Sequence, residues 1–385
     1  MNTVTVRLRG AQRWTQRQHP WIYRSDVIEA TGAAGVVHVI DERGADVGMA
    51  LFSPVSTITL RMLTHGQAEI GPGFWAERIM RAADYRASLG IEGNAYRVVH
   101  AEADGLPGLV VDRYGEALVV QFLSAGVEAF RKVIAAALSD VLRPAGILAR
   151  DDVPVRRHEQ LPGGVALLLG SVPEEIEIAE AGIRFQAALR EGQKTGAFLD
   201  QRENRQRVGQ LSRGRTLDCF SYHGWFALHM ARNAAHVVAV DSSADALERA
   251  RGNAELNGFE NVEFLEANVF DLLRSIEAAN DRFDVIVLDP PAFAKNKDSI
   301  PAALRGYKEI NLRAMRLLAA GGHLCTFSCS YHIGRDRFEA MLADAAGDAG
   351  RPLRWIERRG QSADHPDVVQ IPESGYLKGA ILQAI

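Results

Sequence analysis

The chain of 385 residues has few cysteines and no long apolar run, and both absences exclude classes of protein. Its three cysteines, Cys219, Cys325 and Cys329, are too few for a disulfide framework and lack the spacing of zinc ligands. No apolar run approaches the ~18 residues of a membrane span, and the N-terminus lacks the apolar core of a signal peptide. With 47% apolar residues, the sequence predicts a cytoplasmic globular protein with reduced thiols.

The chain also lacks a strong net charge. A net charge of −4 argues against a uniformly basic nucleic-acid-binding protein. Basic residues are nevertheless concentrated in two places. Residues 1–24 contain five arginines and no acid, and residues 190–215 contain seven Lys or Arg against three Asp or Glu. Such patches can bind a phosphate backbone. The alternative is that these arginines are ordinary solvated surface residues.

Short β-rich runs predict a small all-β unit over residues 1–70. The runs are separated by Gly and Asp and comprise Val4–Arg9, Val36–Ile40, Val47–Leu51 and Thr57–Leu63. Between the first two lies His19-Pro20-Trp21-Ile22-Tyr23-Arg24-Ser25, which resembles a segment of the PUA domain, a small RNA-binding barrel. We therefore predict a PUA-like RNA-binding domain. The alternative is that Trp21 and Tyr23 are core residues of any small barrel.

The rest of the chain predicts two further domains. Residues 71–190 have helical spacing at Phe74–Leu89 and Val127–Leu142 among short strand-like runs, which predicts a central α+β domain. Residues 191–385 alternate strands and helices, which predicts an α/β domain with a parallel, doubly wound, Rossmann-like sheet. Its predicted strands are Thr216–Phe220, Val237–Asp241, Val262–Leu265, Phe283–Leu288 and His323–Phe327, with Leu353–Glu357 and Ala380–Ile385 as two edge strands.

The first two strands of this sheet are followed by residues suited to a nucleoside cofactor. The loop after the first strand runs from Asp218 through Phe220 to Gly224, and it has one glycine where a dinucleotide site needs three. We therefore predict a cofactor with a ribose and no pyrophosphate, which S-adenosylmethionine satisfies. Asp241 is predicted to hold the ribose hydroxyls, Asp218 the cofactor's amino group and Asn268 an adenine edge. The alternatives are that Asp241 caps a helix and Asn268 is a turn residue.

Residues after a later strand are suited to binding a flat base. Asp289 follows the strand Phe283–Leu288 and can hydrogen-bond a base edge, while Pro290 and Pro291 make a rigid lip without backbone donors. Phe293 can stack on an extruded base. An Asp-Pro-Pro sequence followed by an aromatic residue is typical of enzymes that methylate exocyclic amines. Alone, it does not distinguish an amine from a carbon as the methylated atom.

Cys329 indicates a carbon target. It follows the strand His323–Phe327 and lies between Ser328 and Ser330. A pyrimidine C5 becomes nucleophilic once a thiolate has added to C6, so a cysteine at this edge indicates covalent catalysis. Cys219 and Cys325 lie within strands and are predicted to pack as small apolar residues. The alternative for Cys329 is also a packing role.

Three motifs together resemble the bacterial 23S ribosomal RNA cytosine-5 methyltransferases of the three-domain type. They are residues 192–205 (GQKTGAFLDQRENR), Asp289-Pro290-Pro291-Ala292-Phe293, and Ser328-Cys329-Ser330. The resemblance covers the whole chain and implies S-adenosylmethionine as cofactor, cytosine C5 in large-subunit rRNA as target, and a homodimer. It assigns Cys329 as the nucleophile. The resemblance also assigns the segment Phe198–Arg202 to cofactor binding, namely Phe198, Asp200, Gln201 and Arg202. Asp289 is predicted from its place after the strand to act in catalysis by holding the base, and also to contact the cofactor.

The chain departs from this family at the cofactor loop. His223 and Trp225 stand beside Gly224 where the family has small residues, so Trp225 either crowds the cofactor or packs on its helix. Two other functions therefore stay open. One is methylation of an exocyclic amine of adenine or guanine, and the other is an RNA-binding protein whose methyltransferase domain is inactive. In each case Arg7, Arg9 and Arg13 are predicted to contact RNA phosphates.

Overall fold

A computed structural model describes residues 2–192, 194–294 and 296–385 and shows two compact units. The first contains residues up to Ile178 with Ala187–Leu199 and Ala363–Ser374. The second contains Ala179–Gln186, Asp200–Ser362 and Gly375–Ile385. The predicted domain boundaries near residues 70 and 190 stay predictions.

The first part of the first unit is a six-stranded sheet with one helix. Its elements are β1 (Thr3–Val6), α1 (Leu8–Thr15), β2 (Trp21–Tyr23), β3 (Val27–Glu29), β4 (Gly35–Asp41), β5 (Asp46–Phe52) and β6 (Ile58–Met62). The strand order is β2-β6-β5-β4-β1-β3, and β1 runs parallel to β4. The predicted strand Val4–Arg9 ends early, because a helix begins at Leu8, whose N–H donates to Glu42 Oε1. The small all-β unit is otherwise present, with its core around Val4, Ile22 and Leu60.

The second part of the first unit is a five-stranded sheet covered by helices. Its elements are α2 (Pro72–Ser88), β7 (Ala95–His100), β8 (Leu109–Tyr114), β9 (Ala117–Phe122), α3 (Ala125–Glu128), α4 (Arg131–Leu142), β10 (Gly146–Arg150), α5 (Val155–His158) and β11 (Val165–Gly170). The strand order is β11-β10-β9-β8-β7. The predicted helix Val127–Leu142 is interrupted at Phe130, which precedes α4 and packs its ring on Trp75 of α2. A two-stranded sheet of β12 (Glu175–Glu180) and β13 (Ile183–Ala188) follows.

The second unit is a seven-stranded sheet with helices between its strands, and it confirms the predicted α/β class. Its elements are α6 (Arg202–Leu211), β14 (Arg215–Cys219), α7 (Trp225–Ala231), β15 (His236–Asp241), α8 (Ala244–Asn257), β16 (Val262–Glu266), α9 (Val269–Ala279), β17 (Phe283–Leu288), α10 (Ile300–Leu317), β18 (Leu318–Ser328), α11 (Arg335–Ala349), β19 (Leu353–Arg359) and β20 (Lys378–Ala384). The order is β16-β15-β14-β17-β18-β20-β19. The first five strands along this order are parallel. β20 runs antiparallel between β18 and β19, so of the two C-terminal strands predicted at the edge, β19 lies at the edge and β20 lies inside the sheet.

The centre of this sheet is buried on both faces, as the continuous apolar runs of its strands predict. Leu217, Ile286 and Leu324 pack in one cluster, and Val285 and Phe327 in another. The pairing sets Cys219 of β14 opposite Val240 of β15 and Leu288 of β17. The carboxyl ends of these three strands therefore lie side by side.

Helix α10 shows how the helices cover this sheet. It is 18 residues long and buries Tyr307, Ile310 and Ala314 in the core, while Lys308 and Glu309 lie on its polar side. Its polar side makes it a surface helix of a globular unit. Within the described ranges, no helix combines the length and apolar character needed to cross a membrane.

Candidate cofactor and nucleophile site

Three carboxylates meet at the carboxyl ends of β14, β15 and β17. Asp218 is 1% exposed, and its Oδ2 accepts the backbone N–H of Ala227 in α7 at 2.9 Å. Burial raises the pKa of Asp218 well above its usual range, and the charges of Asp289 and Asp241 raise it further. Asp218 Oδ1 is buried and has no hydrogen-bond partner among the residues that the structure describes. A buried acceptor of this kind is satisfied by a cationic donor, so it fits the amino group of an S-adenosylmethionine molecule.

Asp241 organises the loop after β14. Its Oδ2 accepts the N–H of Tyr222 at 2.9 Å, and its Oδ1 accepts the N–H of Ser243 at 3.0 Å. The N-cap of α8 is Ser243, whose side chain accepts the N–H of Ala246, so Asp241 fixes the turn before the helix and does not cap it as the alternative from the sequence proposed. Each carboxylate oxygen has a second lone pair, so both can still accept ribose hydroxyls.

The loop from Phe220 to Gly224 has an uncommon backbone. Phe220 has φ +63°, Tyr222 has φ +50° and Gly224 has φ +77°. Non-glycine residues in this region are strained, and such strain is concentrated at functional sites. A Cβ on Gly224 would lie 3.0 Å from Ala250 Cβ, so the position requires glycine for space as well as for φ.

His223 and Trp225, which depart from the family pattern, are both packed. The ring of Trp225 stacks on Phe185 at 4.2 Å, and the guanidinium of Arg205 lies 4.8 Å from its centre. His223 stacks on Tyr222 at 3.7 Å. Burial, with the charge of Arg249, lowers the pKa of His223 to about 4, so the imidazole is neutral near pH 7. Both side chains have structural roles in this loop.

Asn268 is the N-cap of α9. Its Oδ1 accepts the N–H groups of Phe270 at 2.9 Å and Asp271 at 3.4 Å. The sequence offered a turn role as the alternative, whereas the structure gives Asn268 a helix-capping role. Because Oδ1 is engaged, the Nδ2 group is the donor that Asn268 can offer to an adenine edge.

The segment after residue 199 joins this site through Gln201. Its Nε2 donates to Asp289 Oδ1 at 2.9 Å. Asp200 Oδ2 accepts the hydroxyl of Tyr376 at 2.7 Å, and Arg202 is buried with its guanidinium 3.3 Å from Glu203. The motif also contains Gln193, which lies outside the described residues.

Phe198 belongs to the first unit, unlike the other predicted cofactor residues. Its ring lies 4.6 Å from the ammonium of Lys194 in the same unit. Its part in cofactor binding stays a prediction.

The predicted lip for the base begins at the end of β17. Pro290 is buried and Pro291 is exposed. The ring of Phe293 packs on Tyr307 at 4.6 Å, and more loosely on Phe270 at 6.0 Å and Phe220 at 6.4 Å. Phe293 therefore contacts the cofactor loop through Phe220 and is held in an aromatic cluster.

The three thiols differ in their surroundings. Cys219 and Cys325 are fully buried, and burial raises the pKa of Cys219 well above its usual range and that of Cys325 to about 12. Cys329 lies just beyond β18 and is partly exposed. Of these thiols, Cys329 alone combines a place at the carboxyl edge of the sheet with access from outside.

Two functional candidates beside Cys329 were missed from the sequence. The Tyr307 hydroxyl lies 2.9 Å from Ser330 Oγ, and Lys378 Nζ donates to the carbonyl oxygen of Ser330 at 2.7 Å. Tyr307 has the spacing of a core residue of α10, and Lys378 precedes an apolar run far along the chain. Neither residue has neighbours in the sequence that indicate a functional role. Lys378 in particular reaches Cys329 only through the pairing of β18 with β20.

The N-terminal arginines have different surroundings. Arg7 and Arg9 line one open surface cavity with Glu42, and Arg9 also pairs with Asp26. The guanidinium of Arg13 lies 5.0 Å from the ring centre of Tyr23. Arg7 and Arg9 therefore share a surface that an RNA phosphate can approach.

Family models match both parts of the chain that carry these features. The model of the S-adenosylmethionine-dependent methyltransferase family matches residues 116–381, and that of the PUA-like domain matches residues 4–65. The first match covers the whole carboxylate and thiol site. The second confirms the predicted PUA-like domain.

Curated relatives match over the full length. The chain is 42% identical to ribosomal RNA large subunit methyltransferase I of Shewanella amazonensis, over 98% of this chain and 99% of that protein. It is 40% identical to the protein of the same name from Yersinia pseudotuberculosis, over 98% of both.

Solved structures share the fold. A protein from Streptococcus mutans assigned as a SAM-dependent methyltransferase has a TM-score of 0.84 at 20% identity, over 100% of both chains. The protein SMU.776, assigned as a methyltransferase and solved in complex with SAH, has a TM-score of 0.87 at 21% identity, also over 100% of both.

Proposed function

The chain belongs to the S-adenosylmethionine-dependent methyltransferase family, and we propose that it forms 5-methylcytosine in 23S ribosomal RNA through a covalent adduct of Cys329. S-adenosylmethionine is its cofactor, as the single-glycine loop predicted. The names of the full-length relatives support large-subunit ribosomal RNA as the substrate. The three cysteines, considered next, support cytosine C5 as the methylated atom.

The observation that carries the proposal is the position of Cys329. Its thiol is partly exposed, and it lies at the edge of the sheet where Asp218, Asp241 and Asp289 lie. Cys219 and Cys325, in contrast, are fully buried in the core. A nucleophile must reach its substrate and lose its proton. Both requirements exclude the two buried thiols, whose pKa values are raised.

The residues of the cofactor site fit S-adenosylmethionine, which supplies an electrophilic methyl group. Asp218 would hold the amino group on its unpartnered Oδ1, and Asp241 would hold the ribose hydroxyls. Asn268 would offer Nδ2 to the adenine. The strained loop from Phe220 to Gly224 would bring backbone close to the cofactor.

The proposed reaction on the base conserves atoms and charge. The Cys329 thiolate adds to C6 and forms an S–C6 bond, so the C5=C6 electrons move to C5. C5 would then take the methyl group as the methyl–sulfur bond of the bound cofactor breaks and a neutral thioether leaves. C5 then loses its proton to a base, the double bond reforms, and the S–C6 bond breaks to regenerate the thiolate. Asp289, oriented by Gln201, would hold the base edge near N3 or the exocyclic amine.

Methylation of an exocyclic amine is the second candidate. It is favoured by the sequence Asp289-Pro290-Pro291 with Phe293 close behind, and in it Cys329 would only pack. The two chemistries differ in one respect that can be measured. A covalent link between protein and RNA forms only if the thiol adds to C6.

The decisive experiment uses 23S rRNA fragments carrying 5-fluorocytosine. Fluorine does not leave as the C5 proton does, so the wild-type protein should be trapped as a denaturation-resistant complex. Cys329→Ala should give no complex and no 5-methylcytosine, and should still bind S-adenosylmethionine. Cys325→Ala is the matched control, because it truncates a neighbouring thiol and should stay active. Formation of 5-methylcytosine by Cys329→Ala would refute the proposal and favour amine methylation.

The homodimer implied by the family resemblance is part of the proposal. β11 pairs on one side only within the described residues, and Val165, Leu167 and Leu169 along it are exposed. An uncharged, apolar edge strand can pair with a second copy of itself. Light scattering on the purified chain should give the mass of a dimer, and Leu167→Lys should give that of a monomer. A wild-type monomer would refute this part.

A further inference from the structure

Lys378 is a buried cation beside the proposed nucleophile. Its side chain begins on β20, directly opposite Ser328 of β18, and the residue is 4% exposed. Its Nζ donates to the carbonyl oxygen of Ser330 at 2.7 Å and to that of Tyr376 at 2.8 Å. Ser328 and Ser330 flank Cys329, so the lysine spans the backbone on both sides of the thiol.

The charge of Lys378 has no carboxylate partner in the part of the chain that the structure describes. A buried ammonium is costly unless an anion compensates it. It has three N–H donors, and the two carbonyl oxygens use two of them. The neighbouring groups that act on it electrostatically are the Cys329 thiol and the Arg335 guanidinium, and of these only the thiol can become an anion.

We propose that the Lys378 ammonium stabilises the thiolate of Cys329, with its third N–H directed to the sulfur. Lys378 is then a positioning residue for the nucleophile. This inference rests on the proposed function, because it explains how Cys329 is activated for addition to C6. In that addition the thiol proton is lost before the S–C6 bond forms, and the ammonium balances the resulting negative charge.

The charge balance around Lys378 is consistent with this role. Burial lowers the pKa of Lys378 to about 8, the nearby Cys329 raises it, and Arg335 lowers it. The Tyr307 hydroxyl lies 2.9 Å from Ser330 Oγ, and burial raises the pKa of Tyr307, so its hydroxyl stays neutral. Near neutral pH, Lys378 is therefore the cation that can balance a thiolate there.

The test measures the reactivity of Cys329 without RNA. Iodoacetamide alkylation of the Cys329 peptide is followed by mass spectrometry as a function of pH. In the wild-type protein, the half-maximal rate should occur below the ordinary thiol pKa of ~8.5. Lys378→Met should shift it upward by about one pH unit or more, and Lys378→Arg should retain most of the wild-type profile. Lys308→Met, which removes an exposed lysine of α10, should leave it unchanged.

The methylation rate gives the second measurement. Lys378→Met should lower the rate about tenfold at pH 7, and the loss should shrink as the pH rises and the thiol ionises unaided. A merely structural role would lower the rate equally at every pH. Titration with S-adenosylmethionine verifies the fold of each variant, and Lys378→Gln replaces Lys378→Met if the latter does not bind.

Two results would overturn the inference. One is a wild-type half-maximal pH at or above that of an ordinary thiol, which needs no variant to measure. The other is coincidence of the wild-type and Lys378→Met profiles. Failure of the proposed function is a different observation, namely formation of 5-methylcytosine by Cys329→Ala.

Discussion

Gln201 donates from Nε2 to Asp289 Oδ1 at 2.9 Å and so links the segment before α6 to the end of β17. The same amide accepts from Asn204 Nδ2 on its Oε1, which fixes its orientation. The contact with Asn204 therefore ensures that Gln201 presents its Nε2 group, and not its Oε1, to Asp289. Gln201, predicted to contact the cofactor, and Asp289, predicted to contact both the base and the cofactor, belong to one hydrogen-bonded group.

Removing the carboxylate of Asp241 should weaken cofactor binding. Asp241→Ala loses charge-assisted hydrogen bonds to the ribose and the contact that holds Tyr222 N–H. We expect an affinity loss of about 1.5–3 kcal/mol, or roughly one to two decades. Isothermal titration with S-adenosylmethionine measures it, with Asp336→Ala on the exposed start of α11 as control. Wild-type affinity in a folded Asp241→Ala protein would contradict the assignment.

Asp218→Asn should stabilise the free protein at neutral pH while weakening cofactor binding. The folded-state pKa of Asp218 is raised, so the native state holds the proton more tightly than the unfolded chain. Stability therefore falls as the pH rises from the unfolded pKa through the folded one. Asp218→Asn cannot ionise at this position, so its free energy of unfolding at pH 8 should exceed that of the wild type by about 1–2 kcal/mol.

Urea unfolding of the free protein at pH 4 and pH 8 measures this effect, with the exposed Glu260→Gln as control. If the wild-type protein loses no more stability between pH 4 and pH 8 than Asp218→Asn does, the prediction is contradicted. So would unchanged affinity of Asp218→Asn for S-adenosylmethionine.

A buried ion pair should make the second unit sensitive to acid. Arg205 donates to Glu180 at 2.8 Å from Nε and 2.5 Å from Nη2, and His229 Nε2 lies 2.9 Å away. Burial alone would raise the pKa of Glu180, but Arg205 and the hydrogen bonds lower it to about 2. Its contribution to stability is therefore complete above the unfolded pKa of ~4.3 and is lost as the pH falls towards 2.

Glu180→Gln should destabilise the protein by about 3–5 kcal/mol at pH 7, because it leaves Arg205 buried without its partner. The difference from wild type should shrink as the pH falls below 4. Denaturant unfolding at pH 7 and pH 3 measures both values. Glu248→Gln, which breaks an exposed pair with Arg251, should change stability by less than about 0.5 kcal/mol. A similar small effect of Glu180→Gln would refute the prediction.

The N-terminal arginines should set part of the salt dependence of RNA binding. Arg7 and Arg9 share one surface cavity, whereas Arg13 lies against Tyr23. Replacing Arg7 and Arg9 by Ala should weaken binding and reduce the slope of log affinity against log salt by about two units, and adding Arg13→Ala should reduce it further. Arg81→Ala, on the exposed side of α2, is the control. An unchanged slope would show that these arginines do not contact RNA.

Much of the second unit was predictable because its strands are apolar runs that end at acids. The predicted strand Phe283–Leu288 has the bounds of β17. The predicted strand His323–Phe327 is too short, because β18 begins at Leu318. The strand includes Gly321 and Gly322, with Gly321 at φ +68° and a register shift towards β17.

The contacts around Cys329 were not predictable from local sequence. Sequence patterns give the direction of side chains within one strand, whereas the pairing Ser328 with Lys378 joins segments that are far apart in the chain. The capping role of Asn268 was not predicted, since a helix cap, a turn and a ligand contact use the same residue types. The cofactor contacts of Asp241 and Asn268 stay predictions.

The place of β20 in the sheet has a consequence for folding. β19 pairs with β20 and not with β18, so it cannot join the sheet until the strand that follows it in the chain is in position. Contacts between distant segments form late, since the loop between them must close first. The surroundings of Cys329, which include Lys378 at the start of β20, are therefore complete only once β20 has paired with β18. A partly folded chain would carry the thiol without the ammonium.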